Sequence, residues 1–189
     1  MRKATSLDKQ IIIDILSQSF DQNQSVNFVV KQDRKRKNRI RLLIEYSFFI
    51  GLNFGEVFIS DDETTCCILL LPEKKKTTLS SVFWEIKLLF RCIGVNNLIK
   101  VLNREKLLKQ HHPDSPFIHL WYIGVLPRYQ GKNKGSILIE EIITHYKLTN
   151  KAIYLETSTL RNLPFYKRLG FKVINEIDIG YRLYILKRG

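Results

Sequence analysis

The chain has 189 residues, 44% of them hydrophobic, and carries 31 lysines and arginines against 18 acidic residues, a formal net charge of +13. Ile, Leu, Phe and Tyr are dense enough to build a core, which excludes a disordered chain. No apolar run approaches the roughly 20 residues that cross a bilayer, which excludes a helical membrane span.

In chain order, Leu7 to Phe20 reads as a helix with Ile11, Ile12, Ile15, Leu16 and Phe20 on one face and Ser6 as its N-cap. Asp14 follows the Ile11-Ile12-Ile13 cluster with no small-residue cleavage pattern, so no signal peptide is expected. Arg34 to Leu52 reads as a second helix that begins with a basic run and turns apolar. Gly55 to Ser60 and Thr64 to Leu71 form a hairpin across Asp61-Asp62, ended by Pro72 and Lys74-Lys75-Lys76. Leu79, Val82, Phe83, Ile86, Leu89, Phe90 and Ile93 repeat at helical spacing until Gly94, and another helix runs from about Asn96 to Gln110. His111 to Asp114 is a loop. Phe117 to Val125 is a long apolar strand, buried on both faces and stopped by Pro127.

Gly135, Leu138, Ile139, Ile142, Ile143 and Tyr146 then mark an amphipathic helix. Ala152 to Thr157 is a strand, and Asn162 to Arg168 a short helix ending at Gly170. Phe171 to Ile177 and Tyr181 to Leu186 close the chain as paired strands. With no repeat and no linker, residues 1–189 read as one mixed α/β domain.

Cys66, Cys67 and Cys92 show no CxxC spacing and read as buried small hydrophobes, which with the missing signal peptide gives a cytoplasmic expectation. His111-His112 lacks further ligands in phase, so no metal is expected. The positive charge favours polyanions. The basic run Arg34 to Arg41 has no interleaved aromatics and reads as a solvated helix face. Neither nucleic acid nor membrane is expected as a partner.

Two clusters carry chemistry. Gln130-Gly131-Lys132-Asn133-Lys134-Gly135-Ser136 lies between the buried strand and the amphipathic helix. Glycines there allow a sharp turn that aims successive N–H groups at one point, the helix N-terminus adds partial positive charge, and Lys132 and Lys134 add full charges. A pyrophosphate suits such a loop. Neither a Walker loop nor the dinucleotide fingerprint is present. The second cluster, Leu155 to Phe171, is a strand, a short loop and a short helix on which Asn162 and Tyr166 share a face.

Together, Ile123-Gly124-Val125 with Gln130 to Gly135, and LETSTLRNLPFYKRLGF from Leu155 to Phe171, resemble the two signatures of the GNAT acetyltransferase superfamily, whose members bind acetyl-CoA. A nearer likeness is to the puromycin N-acetyltransferases. The resemblance implies a mixed, twisted, mostly antiparallel sheet with a splayed central parallel pair and helices on both faces. It implies that the pantetheine arm lies in the splay, bonded by backbone at Ile123, Gly124 and Val125. The loop Gln130, Gly131, Lys132, Asn133, Lys134, Gly135 and Ser136 would hold the pyrophosphate. Asn162 would bond the pantetheine arm or the neighbouring backbone, and Tyr166 would stand near the thioester sulfur. Asn133 replaces a usual glycine of the loop; asparagine tolerates left-handed backbone, so the turn survives.

The implied reaction is attack of an amine on the acetyl carbonyl with loss of a thiolate. A primary amine with a pKa near about 10 is almost wholly protonated at neutral pH, so the site must remove a proton. Glu156 and His119 are the candidate bases and Tyr166 the candidate donor to the thiolate. The expected partners are acetyl-CoA and a small-molecule amine. Two other readings stay open: a non-catalytic acyl-CoA-binding module, and a nucleic-acid-associated protein using residues 34–41.

Overall fold

The predicted hairpin forms the first stable corner of the sheet in the computed structural model, which describes residues 1–189. Strands β2 (Gly55–Ile59) and β3 (Thr65–Leu70) pair antiparallel. The carboxylate of Asp62 accepts from the Ser60 and Thr64 hydroxyls inside the turn. β1 (Arg2–Lys3) adds one more edge to β2. β3 then pairs antiparallel with β4 (Ile118–Val125), and β4 runs parallel to β5 (Ile153–Thr157). β6 (Lys172–Asp178) and β7 (Arg182–Arg188) complete a seven-stranded sheet in the order β1-β2-β3-β4-β5-β7-β6. The single parallel pair sits at the centre, as expected.

Helices cover both faces. On one lie α1 (Lys9–Ser19), α2 (Gln24–Val29) and α3 (Arg36–Phe54), packed through Ile12, Ile15, Leu16, Ile40 and Ile44 against Val57, Ile68 and Tyr122. α4 (Leu79–Leu88) and α5 (Leu98–Gln110) extend this layer. On the other face α6 (Lys134–Tyr146) and α7 (Leu163–Arg168) pack through Leu138, Ile139, Ile142 and Tyr166 against Phe58, Leu120 and Leu155.

Several expectations change. Ser6 is not the cap of the first helix. Thr5 caps a preceding 3₁₀ turn instead, its hydroxyl accepting from Leu7 N–H while the Asp8 carboxylate accepts from Thr5 N–H. α2 and β1 were not visible in the sequence, being six and two residues long with no room for a periodic pattern. The apolar repeat of α4 does not face the core. Ser81 and Leu88 point inward, while Leu79, Val82, Phe83 and Ile86 are exposed. The cysteines are free and buried as expected, and burial pushes the Cys67 thiol up to about 12, so it is inert at neutral pH.

α1 crosses β4 closely at Gly124. A Cβ there would lie 2.7 Å from Leu16 Cδ2 and 2.9 Å from Ser19 Oγ. The Ser19 hydroxyl in turn donates to the Val125 carbonyl at 2.8 Å. Gly124→Ala therefore makes the Leu16 and Ser19 side chains shift and strains the Ser19 bond to Val125. The expected cost is about 1–3 kcal/mol, a fall in melting temperature of about 2–4 °C per kcal/mol, read by circular dichroism.

Candidate active site

The site begins where β4 and β5 part. Their pairing is confined to Ile118 with Ile153 and His119 with Tyr154. Upstream of the gap, the register of β4 on β3 slips: Ile68 faces Tyr122 while Leu69 faces Leu120, so Trp121 is the extra residue of a bulge. A bulge bends and twists its strand. Beyond it, Ile123 to Val125 stay paired to β3 on one edge and have no strand on the other. The Val125 carbonyl already accepts from Ser19 Oγ and from Gln130 Nε2, so Gln130 ties down the strand end.

After Val125 the chain makes a 3₁₀ turn at Pro127–Tyr129 and enters α6 through two left-handed residues. Gly131 has φ = 75° and Asn133 φ = 60°, as the sequence requires of an asparagine standing for glycine. A Cβ on Gly131 would meet nothing within 4 Å, so conformation and not crowding selects glycine there. The first bond of α6 is Ile137 N–H to the Asn133 carbonyl, at 3.1 Å. The amides of Lys134, Gly135 and Ser136 precede it, and the Asn133 side chain does not cap them. The result is a set of free N–H groups at the positive end of a 13-residue helix. One sequence expectation is corrected. Lys134 does not present a free charge, because its Nζ pairs with Asp62 Oδ2 at 2.6 Å and holds that carboxyl well below the usual range. Lys132 remains exposed, its Nζ 5.3 Å from the Tyr129 ring centre.

Tyr166 lies on α7 against Phe165 and Phe171, with ring centres 5.0 and 5.7 Å away. Its ring is buried, and burial pushes its phenol far above the usual tyrosine value, so it stays a proton donor at neutral pH. Asn162, one turn earlier at the start of α7, is half-buried and its side chain caps nothing. Ser158, one residue past β5, was not singled out by the sequence. Its hydroxyl is buried with no hydrogen-bond partner.

The other face of the gap holds a network that the sequence showed only in part. Ile118, Leu120 and Leu155 belong to the layer of α6, so by strand alternation His119 and Glu156 project to the opposite side. There Glu156 Oε2 lies 2.7 Å from His119 Nε2, and Oε1 lies 2.7 Å from His112 Nε2. The two imidazoles meet edge to face at 5.2 Å, and Phe117 packs on His112. Burial favours the neutral carboxyl, but the charge and hydrogen bonds of His119 and His112 outweigh it and hold Glu156 well below the ordinary carboxylate range. A carboxylate only accepts, so both Nε2 atoms donate, which leaves Nδ1 of each ring as the atom that can take up or release a proton. His112 was set aside in the sequence as half of a loop pair without ligands in phase. The fold supplies those ligands from two strands, and the three atoms lie within 4.8 Å of one another. His112, His119 and Glu156 could hold a first-row divalent ion only by giving up both hydrogen bonds.

Residues 91–171 match the family model described as Acetyltransferase (GNAT) family, a stretch that contains α5, β4, the loop, α6, β5 and α7. The Corynebacterium glutamicum protein described as histone acetyltransferase HPA2 and related acetyltransferase superposes with a TM-score of 0.70, covering 99% of this chain and 93% of that one at 18% identity. This is a GNAT fold. Arylalkylamine N-acetyltransferase 2 from Aedes aegypti superposes with a TM-score of 0.62 over 99% of this chain and 96% of its own, at 16% identity. In sequence, an uncharacterized N-acetyltransferase of Schizosaccharomyces pombe is 36% identical over 76 residues, which is 40% of this chain and 31% of that protein. The match thus spans less than a third of that relative's length.

Two substitutions probe this site. Glu156→Gln sets an amide N–H against an imidazole N–H and is expected to lower stability at pH 7 by about 1.5–3 kcal/mol. The folded carboxyl binds its proton more weakly than the unfolded one. Its contribution is therefore complete above the unfolded pKa of about 4.3 and is lost as pH falls below it. Denaturant melts should show the gap between variant and parent shrinking from pH 6 to pH 3, at roughly the spacing this titration sets. At the loop, Asn133→Gly should leave acetyl-CoA binding unchanged or tighter, whereas Asn133→Val carries about 1–2 kcal/mol of left-handed strain and weakens it; calorimetry reads both.

Proposed function

We propose that the chain is an acetyl-CoA-dependent N-acetyltransferase acting on a primary amine of a small molecule. The observation that carries this reading is the parting of β4 and β5 beside an uncapped helix N-terminus, with a buried tyrosine on one face and a His–Glu–His network on the other. The residues present fit the coenzyme. Free amides at Lys134, Gly135 and Ser136 suit a pyrophosphate. The unpaired edge at Ile123 suits the amide-bearing arm, and the orphaned Ser158 hydroxyl and uncommitted Asn162 side chain follow the end of β5, the other edge of the gap.

Acetyl-CoA supplies an activated acetyl group as a thioester. The amine nitrogen bonds to the acetyl carbon, the carbon–sulfur bond breaks, and the amide product and a thiol leave. Two protons must move. An imidazole of the network takes the one lost by nitrogen, at the Nδ1 left free by Glu156. Tyr166 O–H gives the one that the departing sulfur needs. Glu156, ionised and held by two N–H donors, is the positioning residue that fixes the imidazole tautomer rather than the base itself. His119 stays a candidate for the base, joined by His112.

A small-molecule acceptor is supported by the nearer sequence likeness to the puromycin N-acetyltransferases and by a fold neighbour named for arylalkylamines. The rival nucleic-acid reading loses support because Arg36, Arg39 and Arg41 are paired with Asp21, Asp33 and Asp14. A cytoplasmic setting agrees with three free thiols.

The test is thiol release from acetyl-CoA in the presence of a panel of primary amines and aminonucleosides, on the parent and on Tyr166→Phe. The variant is expected to bind acetyl-CoA normally and to lose about 10²–10⁴ in the rate of the chemical step. No binding of acetyl-CoA to the parent overturns the reading. Binding without turnover on any amine favours the non-catalytic module. An equally fast chemical step in Tyr166→Phe reduces Tyr166 to packing.

A further inference from the structure

α4 is amphipathic in reverse. Leu79, Phe83, Ile86 and Phe90 recur at i, i+4, i+7 and i+11, one stripe of a helix, and are 93%, 65%, 52% and 66% exposed. After Gly94 the pattern continues into α5: Val95, in the 3₁₀ turn before it, and Ile99 and Leu102 on it recur at i, i+4 and i+7 and are also exposed. Contiguous outward apolar surface of this kind marks an interaction site. Its charge setting says with what. Residues 72–110 hold nine lysines and arginines against three glutamates and no aspartate. Lys74-Lys75-Lys76 precede the stripe, and Lys106 and Lys109 follow Ile99 and Leu102 by seven residues on the same side of α5.

Beside the joint of the two helices lies a recess of about 440 Å³ lined by Asn27, Lys31, Asn96, Asn97 and Lys100, with Val95 on its rim. Lys100 sits over the Phe28 ring at 4.0 Å, and Lys31 has only a 3.9 Å contact to Asp33.

We propose that the α4–α5 face docks on a lipid bilayer carrying anionic phospholipid headgroups. The apolar stripe would enter the headgroup–acyl boundary, the long lysine stems would reach the phosphates around it, and the recess would take one headgroup between Lys31 and Lys100. A second copy of the chain is a poor occupant, because it would bring the same positive excess to the contact. Docking is peripheral, since no helix is long and apolar enough to cross a membrane. The proposal replaces the sequence expectation of no membrane partner, which rested on the missing span. It goes beyond acetyl transfer and does not depend on it.

The test is co-sedimentation of the full chain with phosphatidylcholine vesicles and with vesicles in which roughly a third of the lipid is phosphatidylglycerol. Binding is expected only to the anionic vesicles, weakening as salt rises. Phe83→Ser with Phe90→Ser is expected to lower partitioning about tenfold or more, with an unchanged melting temperature because both rings are already in water. Absence of binding to anionic vesicles overturns the proposal. So does binding that ignores the two phenylalanines, which would be unspecific attraction to the +13 charge. A concentration-dependent dimer in sedimentation velocity that the same double variant abolishes, with no vesicle binding by the parent, assigns the face to self-association instead.

Discussion

Two facing strand edges left unpaired inside a sheet are the constraint on which the site depends. β4 and β5 share two residue pairs and then separate, although each remains bonded to its outer neighbour. Buried backbone N–H and C=O groups need partners, so such a gap calls for a chain-like guest that can donate and accept. The bulge at Trp121 and the close approach of α1 at Gly124 set the course of β4. The left-handed pair Gly131 and Asn133 then turns the chain so that the first amides of α6 open at the end of the same strand. The β4 wall of the gap and the uncapped end of α6 are therefore one construction, made by residues 118–136 in sequence.

In the proposed reaction, proton handling is divided across that gap by two different physical causes. Burial alone keeps Tyr166 protonated, which makes it a donor on the α7 side. On the far side burial acts against Glu156 being charged, and the two imidazoles overcome it. A carboxylate so well satisfied is a weak proton acceptor, and its value lies in fixing which nitrogen of each ring is free. Glu156 and His119, separate candidate bases by sequence, are bonded to each other, and His112 joins them. They are consecutive members of one hydrogen-bonded network.

Local signals were legible where one residue type serves one backbone demand. Asn133 in a glycine position foretold positive φ, and the apolar spacing from Gly135 to Tyr146 foretold α6 within one residue. The hairpin followed from strand lengths and turn residues, and the central parallel pair from the family resemblance. What stayed hidden was pairwise and long-range. Nothing in the neighbourhood of His112 announces Glu156, 44 residues away, and nothing near Lys134 announces Asp62, 72 residues away. The capping pair Thr5 and Asp8 was missed because Ser6 offered an equally good local reading. The repeat of α4 was read for its period, which was right. Its direction was not contained in the period, since a stripe at helical spacing specifies a face and not what that face meets.

The excess charge of this chain is likewise legible only after pairing is known. The basic run at the start of α3 reads as a solvated helix face, and three of its arginines are paired internally, Arg36 with Asp21, Arg39 with Asp33 and Arg41 with Asp14, while Arg34, Lys35 and Lys37 stay exposed. Lys134 goes to Asp62 and Lys151 to Glu73. Exposed pairs of this kind add little stability, but they cancel the local field that an anion would feel. The positive potential that survives is set by what lacks an acidic neighbour. Such groups include the loop amides with Lys132, the exposed Arg34, Lys35 and Lys37 at the start of α3, and the lysines around α4 and α5. A phosphate-rich coenzyme and an anionic surface would thus be drawn to different parts of the molecule, and salt would weaken both attractions without linking them.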